Sequence, residues 1–469
     1  MRIILSASLA LALLAPLAAS AQTAPSAPSA PSEIQLLRQE IQSLRAAYEA
    51  RLQAMEQRLQ LAERAVTSDA ARSTVTTAPA PAASVALSAT TAGGANAFNP
   101  AMSLILSGGY TRTSRDPGSY NIAGFSLPSG SEAGPGSRGF GLAESELGLS
   151  ASIDPWLRGV AHIALRPDDA VSVEEAYVQT TALSHGLSLK AGRFLSGIGY
   201  LNAQHAHTWD FVDNPLAYQA LLGTQYGDDG LQLRWLAPTE QYLEFGAELG
   251  RGRSFPGSDS SRNGAGMSAL MAHTGGDLGD SHSWRAGVSL LTAQADAQDL
   301  TMFDAGNSTA VASVFSGNTR VWVLDGVWKW APNGNATRTN FKLQGEYLHS
   351  TRSGSLGYDL VGANLTTPYR AVQSGWYLQG IYQFMPSWRM GLRTERLDAG
   401  MPDYGLNPAP LASSDYRPSK NTLMLDYSPS EFSRVRLQLA QDKSREGLAD
   451  KQFFLQYQMS LGAHGAHGY

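Results

Sequence analysis

The stretch His205-Ala206-His207-Thr208-Trp209-Asp210-Phe211-Val212-Asp213 carries two imidazoles and two carboxylates, and Asp228-Asp229 follow not far behind. Imidazole nitrogen and carboxylate oxygen are the ligand types that suit Zn2+ and similar divalent ions. A His-x-His pair in extended chain puts both rings on one side. The spacing therefore predicts a transient metal site from His205, His207, Asp210 and Asp213. The competing expectation is that these groups hydrogen-bond their own loop to its surroundings. His464 and His467, three apart on a strand, would face opposite ways and make poor co-ligands. A passing Zn2+ is the ion implied, and no cofactor is required. No Gly-x-Ser-x-Gly elbow, His-Glu-x-x-His motif or phosphate loop occurs, so the reading is not that of an enzyme.

A second set of charges sits on the polar faces of segments that alternate with period two. The cations are Arg158, Lys190, Arg234, Arg285, Lys329, Lys342, Arg389, Arg393, Arg434 and Arg436. Facing them are Glu146, Glu244, Glu248, Asp325, Glu346, Glu395 and Asp426. Rings of side-chain charge set ion preference in a pore. The same groups could instead simply pair across strands.

The elements that would position these residues follow from hydrophobic alternation. From Phe98 onward, apolar residues recur at every second position, as in Leu147/Leu149/Ala151/Ile153, Leu243/Phe245/Ala247/Leu249 and Leu423/Leu425/Tyr427. About sixteen such strands are expected. Tight turns at Asp154-Pro155, 183–186, 237–240, 385–387 and 428–431 separate long loops at about 112–144, 195–229, 293–318, 350–373 and 398–418. A water-soluble sandwich would bury its apolar faces against a second sheet and has no reason for that alternation of lengths. An all-β transmembrane barrel of antiparallel strands points them at lipid, with short turns at one end and longer loops at the other.

The rest of the chain fits an exported protein. Residues 1–21 read as a signal peptide: Arg2, an apolar run from Ile3 to Leu17, then Ala19-Ser20-Ala21. Residues 22–31 are a Pro/Ala/Ser spacer. Residues 32–66 carry a capping box, Ser32 with Gln35, and a heptad seam from Ile34 to Val66 with a stutter at Tyr48. A stripe that narrow needs partner helices, so an oligomeric coiled coil is expected, with a trimer favoured. Residues 67–97 form a flexible linker, and 98–469 the barrel. The net charge of −5 is too mild to imply nucleic acid, and the absence of Cys excludes disulfides and thiolate metal sites. The last strand, ending at Tyr469, must pair with the first, because an open edge cannot stand in lipid.

Several stretches carry a resemblance: FNPAMSLILSGGY (98–110), EEAYVQT (174–180), LKAGRFLSGIGYLN (189–202), HAHTWDFVDNPL (205–216) and DDGLQLRWLAP (228–238). Together they resemble a family of proteobacterial porin-like outer-membrane proteins related to the phosphate-selective porins. Relatives in that family are often called zinc-regulated TonB-dependent receptors. The resemblance implies an outer-membrane barrel, a periplasmic coiled coil, a third outer loop folded into the lumen, and a C-terminal signal read by the barrel-assembly machinery. It implies passive diffusion of small hydrophilic solutes or ions, with uptake of a metal or metal complex as the alternative. A structural anchor with a periplasmic tether is a third reading of the same parts. The 98–469 segment is too short for a twenty-two-stranded barrel with a plug.

Overall fold

The computed structural model describes residues 100–168, 170–261, 263–303, 310–406 and 415–462. The signal peptide, spacer, coiled coil and linker expected over 1–97, and also His464, His467 and Tyr469, lie outside the described residues.

Among the described residues, alternation of apolar and polar side chains accompanies eighteen antiparallel strands. The first are β1 (Ala101–Thr113), β2 (Leu127–Pro128), β3 (Gly139–Leu142), β4 (Ser145–Ser152), β5 (Leu157–Leu165) and β6 (Val171–Thr180). Next come β7 (Leu187–Leu195), β8 (Gly227–Leu236), β9 (Tyr242–Gly250), β10 (Met267–Leu278), β11 (His282–Phe303) and β12 (Ala310–Trp330). The remainder are β13 (Asn340–Tyr358), β14 (Leu365–Met385), β15 (Trp388–Asp398), β16 (Ser419–Ser430), β17 (Ser433–Lys443) and β18 (Asp450–Gly462). β2 and β3 are short pieces within the connection from β1 to β4. The other sixteen pair in chain order, and β1 joins β18 to β4, so the sheet closes. The seam runs from Ser103 opposite Gly462 to Thr113 opposite Gln452. Gly109 lies in it because a Cβ there would meet the Leu455 carbonyl oxygen at 2.2 Å. With an even strand number, both barrel ends lie on the side of the short turns.

Closure leaves no unpaired edge, the condition for a β-structure in hydrocarbon. The outward face is apolar: Leu270, Leu324, Leu392, Leu423 and Leu439 are all exposed. Aromatic pairs mark the turn-side border, among them Trp235 with Phe245, Trp328 with Phe341, and Trp388 with Tyr427. An apolar exterior on a closed barrel is what lipid requires and what water penalises. Leu324 lies on β12 between Trp330 and the outward Arg320, inside that belt. We therefore expect Leu324→Arg to destabilise the lipid-embedded barrel by about 2–4 kcal/mol. Denaturant titration in lipid vesicles measures this, and a change within about 0.5 kcal/mol would argue against a lipid-facing β12.

Two expected loops are strands instead. Residues 293–318 and 350–373 continue β11 to Phe303, start β12 at Ala310, carry β13 to Tyr358 and begin β14 at Leu365. Their Gly, Ser, Thr and Asn content reads as loop, but above the lipid belt the outer face meets water. The ladder then needs no apolar outward residues. Its inner face still packs: Ala295, Leu300, Met302, Phe315, Leu356, Tyr358, Tyr369 and Tyr404 form one buried cluster. On the loop side, the connections at 166–170 and 444–449 are short, so long loops are only part of that rim.

Candidate functional site

The connection from β7 to β8, residues 196–226, folds into the lumen. Its apolar residues account for the descent. Helix α1 (Leu216–Leu222) is buried along its whole length and ends at Gly223, whose φ of 67° closes the helix in the left-handed conformation. Leu216, Tyr218, Leu221, Leu222, Ile198 and Leu201 pack on inward Met267, Met271, Leu291, Val321, Val323, Leu348, Tyr377 and Leu397. Each fully buried side chain of this size contributes roughly 1.5–3 kcal/mol. Ile122 and Phe125, from the connection between β1 and β4, join the same cluster from the loop side. Tyr120 Oη approaches Gln219 Oε1 at 3.4 Å, and the Gly134 amide donates to that same oxygen at 3.1 Å.

Burying a loop leaves backbone amides without water, so each needs an acceptor. Wall side chains provide them. The Leu195 amide donates to Glu175 Oε1 at 2.9 Å, Gly197 to Glu248 Oε1 at 2.9 Å, and Leu201 to Glu346 Oε1 at 2.9 Å. Val212 donates to Gln438 Oε1 at 2.8 Å, and Leu216, the first residue of α1, to Glu395 Oε2 at 2.5 Å. Glu346 also accepts from Tyr218 and Tyr377, each at 2.7 Å. Gly199 passes so close to Glu346 that a Cβ would meet Oε2 at 2.4 Å. Thus Glu248, Glu346 and Glu395, expected as pore-lining charges, are buried as anchors for the loop.

The loop's carboxylates answer wall cations. Asp210 pairs with Lys342 at 2.5 Å and Arg389 at 3.4 Å. Asp213 takes Arg393 at 2.9 Å, Lys420 at 2.5 Å and Gln438 at 2.9 Å. Burial pushes the Asp213 pKa up, but Lys420 and Arg393 override that and hold the carboxyl well below its usual range. Arg436 and Arg389 both bind Asp426, and Arg393 also binds Glu395. Consequently Asp210 and Asp213 do not join the two imidazoles expected to ligate with them. Asp228 caps the amides of Asp229, Gly252 and Arg253, and Asp229 pairs with Arg193.

His205 and His207 meet a different set of residues. Glu146 lies on β4, His162 on β5, and Glu174 and Glu175 on β6. Between β5 and β6 the register slips: His162 faces Glu175 while Ile163 faces Val173. Glu174 is the extra residue of a bulge, so two successive carboxylates both reach the lumen. His205 Nδ1 lies 2.9 Å from Glu174 and 3.1 Å from Glu146, and its Nε2 lies 3.0 Å from Glu175. His162 Nδ1 is 2.5 Å from Glu146 Oε1, and His207 Nδ1 is 3.2 Å from Glu146 Oε2. Burial disfavours a charged His205, but bonds to Glu146, Glu174 and Glu175 outweigh it and raise the imidazole pKa well above its ordinary value.

Toward the short turns the inward side chains are half-buried and mostly cationic: Arg158, Lys190, Arg234, Arg285, Lys329, Lys342, Arg389 and Arg434. At that level lie the inward acids Glu244, 3.7 Å from Arg234, and the buried Asp426, with Asp277 on the inward alternation of β10 at the rim. Lys190 lies over Tyr177 at 4.2 Å, and Arg285 over the loop's Tyr200 at 5.3 Å. Asp325 is buried deeper. Acid anchors therefore occupy mid-barrel and a basic vestibule the turn side.

The sequence held signals for part of what alternation missed. Val321 to Leu324 and Leu290-Leu291 are apolar on both faces, which marks strands covered by lipid outside and by a loop inside. His162 falls on the polar face by alternation, but the joint inward turn of Glu174 and Glu175 carried no such mark, because a bulge has no composition of its own.

No protein-family model matches the chain. An uncharacterized protein of Aquifex aeolicus (strain VF5) is 31% identical over 346 residues, covering 70% of this chain and 70% of that protein. Among solved structures, the barrel is similar to a loop L8 deletion mutant of OmpT, an outer membrane protein of Vibrio cholerae. The TM-score is 0.49 at 10% identity, over 77% of this chain and 99% of that one. It is also similar to OprB of Pseudomonas putida, with a TM-score of 0.46 at 13% identity over 77% of this chain and 94% of that one. An anion-selective porin from Comamonas acidovorans scores 0.46 at 11% identity, over 77% of this chain and 99% of that one. These likenesses concern the course of the backbone, and no solute is read from them.

Proposed function

The chain belongs to the same family as the Aquifex aeolicus protein, and we propose that it is a porin-like channel of the bacterial outer membrane. It passes small hydrophilic solutes or ions by diffusion. The observation that carries this reading is the closed barrel with an apolar exterior, a charge-lined interior and a loop folded across it. The loop reaches wall residues on β6, β9, β13, β15 and β17, so it sets the narrowest passage. Beneath it the basic vestibule favours anions. At physiological salt the Debye length is about 8 Å, so vestibule charges within that distance of one another act together. The proposed protomers gather through the 32–66 heptad seam, three being favoured, and the barrel-assembly machinery inserts each one.

The deciding measurement is conductance of the purified full chain in planar bilayers. We expect discrete steps, and a reversal potential of anion-selective sign in a KCl gradient. A protein that inserts without conducting would sink the channel reading and leave an outer-membrane anchor in its place.

A further inference from the structure

The cluster around His205 has a chemistry that a loop tether does not require. A single ion-paired carboxylate would hold an imidazole. Here His205 has a carboxylate at each ring nitrogen, and Glu146 is shared by three imidazoles. Neutral imidazole has one N–H and one lone pair. With acceptors at both nitrogens, one proton must be added or the lone pair must meet a cation. Among the described residues the ion-pair partners of Glu146, Glu174 and Glu175 are histidines alone, with no Lys or Arg within ion-pair distance. Lys190 acts on Glu175 from beyond ion-pair distance, so the negative charge gathered here is only partly countered by a permanent cation.

The ligand atoms are already close. One atom each from Glu146, His162 and His205 lies within 4.8 Å of the others. Tetrahedral Zn2+ with bonds near 2.0–2.2 Å needs its ligands about 3.4 Å apart, a shift that rotation of the half-buried His162 and His205 rings toward the buried Glu146 supplies. The His162 and His205 rings stand 4.4 Å apart between centroids.

We propose that Glu146, His162 and His205 form a divalent transition-metal site, of the class that takes Zn2+, with Glu174, Glu175 and His207 around it. The site joins the lumenal loop to β4, β5 and β6, whereas the loop's buried apolar cluster sits on β10 to β15. It differs from the four-residue set expected from spacing: Asp210 and Asp213 are engaged by wall cations, and His162 takes their place. When the ion binds, imidazole protons leave and the metal supplies the counter-charge. The site does not depend on whether the barrel conducts.

The test is direct metal binding by the untagged full chain, refolded in detergent. Zn2+ is titrated calorimetrically, and Co2+ is followed by its visible absorption. We expect one ion per chain and a Co2+ spectrum of low coordination number. Affinity should fall at least about tenfold in His162→Gln and in His205→Gln. It should be unchanged in the His464→Gln/His467→Gln pair. The proposal is overturned if the wild type binds neither ion up to about 1 mM, or if both single variants bind as tightly as wild type. Heat-dependent electrophoretic mobility reports folding of each variant. Should His205→Gln fail to fold, His162→Gln decides alone, because its ring sits on β5 and takes no part in holding the loop backbone.

Discussion

Asp213→Ala is expected to enlarge and destabilise the conductance steps of the channel. Asp213 joins the loop to three wall strands at once. Its carboxylate binds Arg393 on β15, Lys420 on β16 and Gln438 on β17, and its carbonyl oxygen takes a further Arg393 bond at 2.8 Å. All three wall groups are buried. Truncating one partner of a buried pair costs about 3–5 kcal/mol, because the remaining charge is left without compensation. Here Glu395 and Asp442 still face Arg393 and Lys420, so the lower end applies. About 3 kcal/mol shifts the ratio of seated to unseated loop by roughly a hundredfold. Single-channel recording should show larger, noisier steps than wild type at equal salt. Asp213→Asn keeps the shape without the charge and should lie between. Steps of wild-type size and noise in Asp213→Ala would mean that the loop does not govern the passage.

Neutralising the basic vestibule should change which ion crosses. Arg158, Lys190 and Arg285 make no ion pair among the described residues, unlike Lys342 and Arg389, which are engaged by Asp210. They are therefore the charges most available to a solute. Lys190 and Arg285 rest on aromatic rings, contacts worth about 0.5–2 kcal/mol each, so their loss costs little stability. In the triple variant Arg158→Gln/Lys190→Gln/Arg285→Gln the chloride-to-potassium permeability ratio should drop several-fold. Conductance at high salt should change far less, because screening already masks the field there. An unchanged reversal potential would place selectivity elsewhere, in the loop itself.

Much of the barrel was legible in the amino-acid order. Period-two alternation locates β4, β9 and β16 and assigns Leu147, Phe245 and Leu425 to the outside. The reading failed at 293–318 and 350–373 because it equated polar composition with loop. That rule holds for strands touching lipid and lapses where a hairpin rises above it. Of the four residues expected to share a metal, Asp210 and Asp213 meet cations from β13, β15 and β16, and His205 and His207 meet carboxylates.

What the chain by itself determined is the barrel: strand number, the faces of its strands and the pairing of last strand with first. Each follows from local alternation and from the impossibility of a bare edge in hydrocarbon. Only the tertiary structure decided the interior. Glu346 and Glu395 lie far in sequence from the amides of Leu201 and Leu216, and Glu174 faces inward because of one bulge. Those contacts depend on closure of the whole sheet, which brings together wall positions that no local pattern connects.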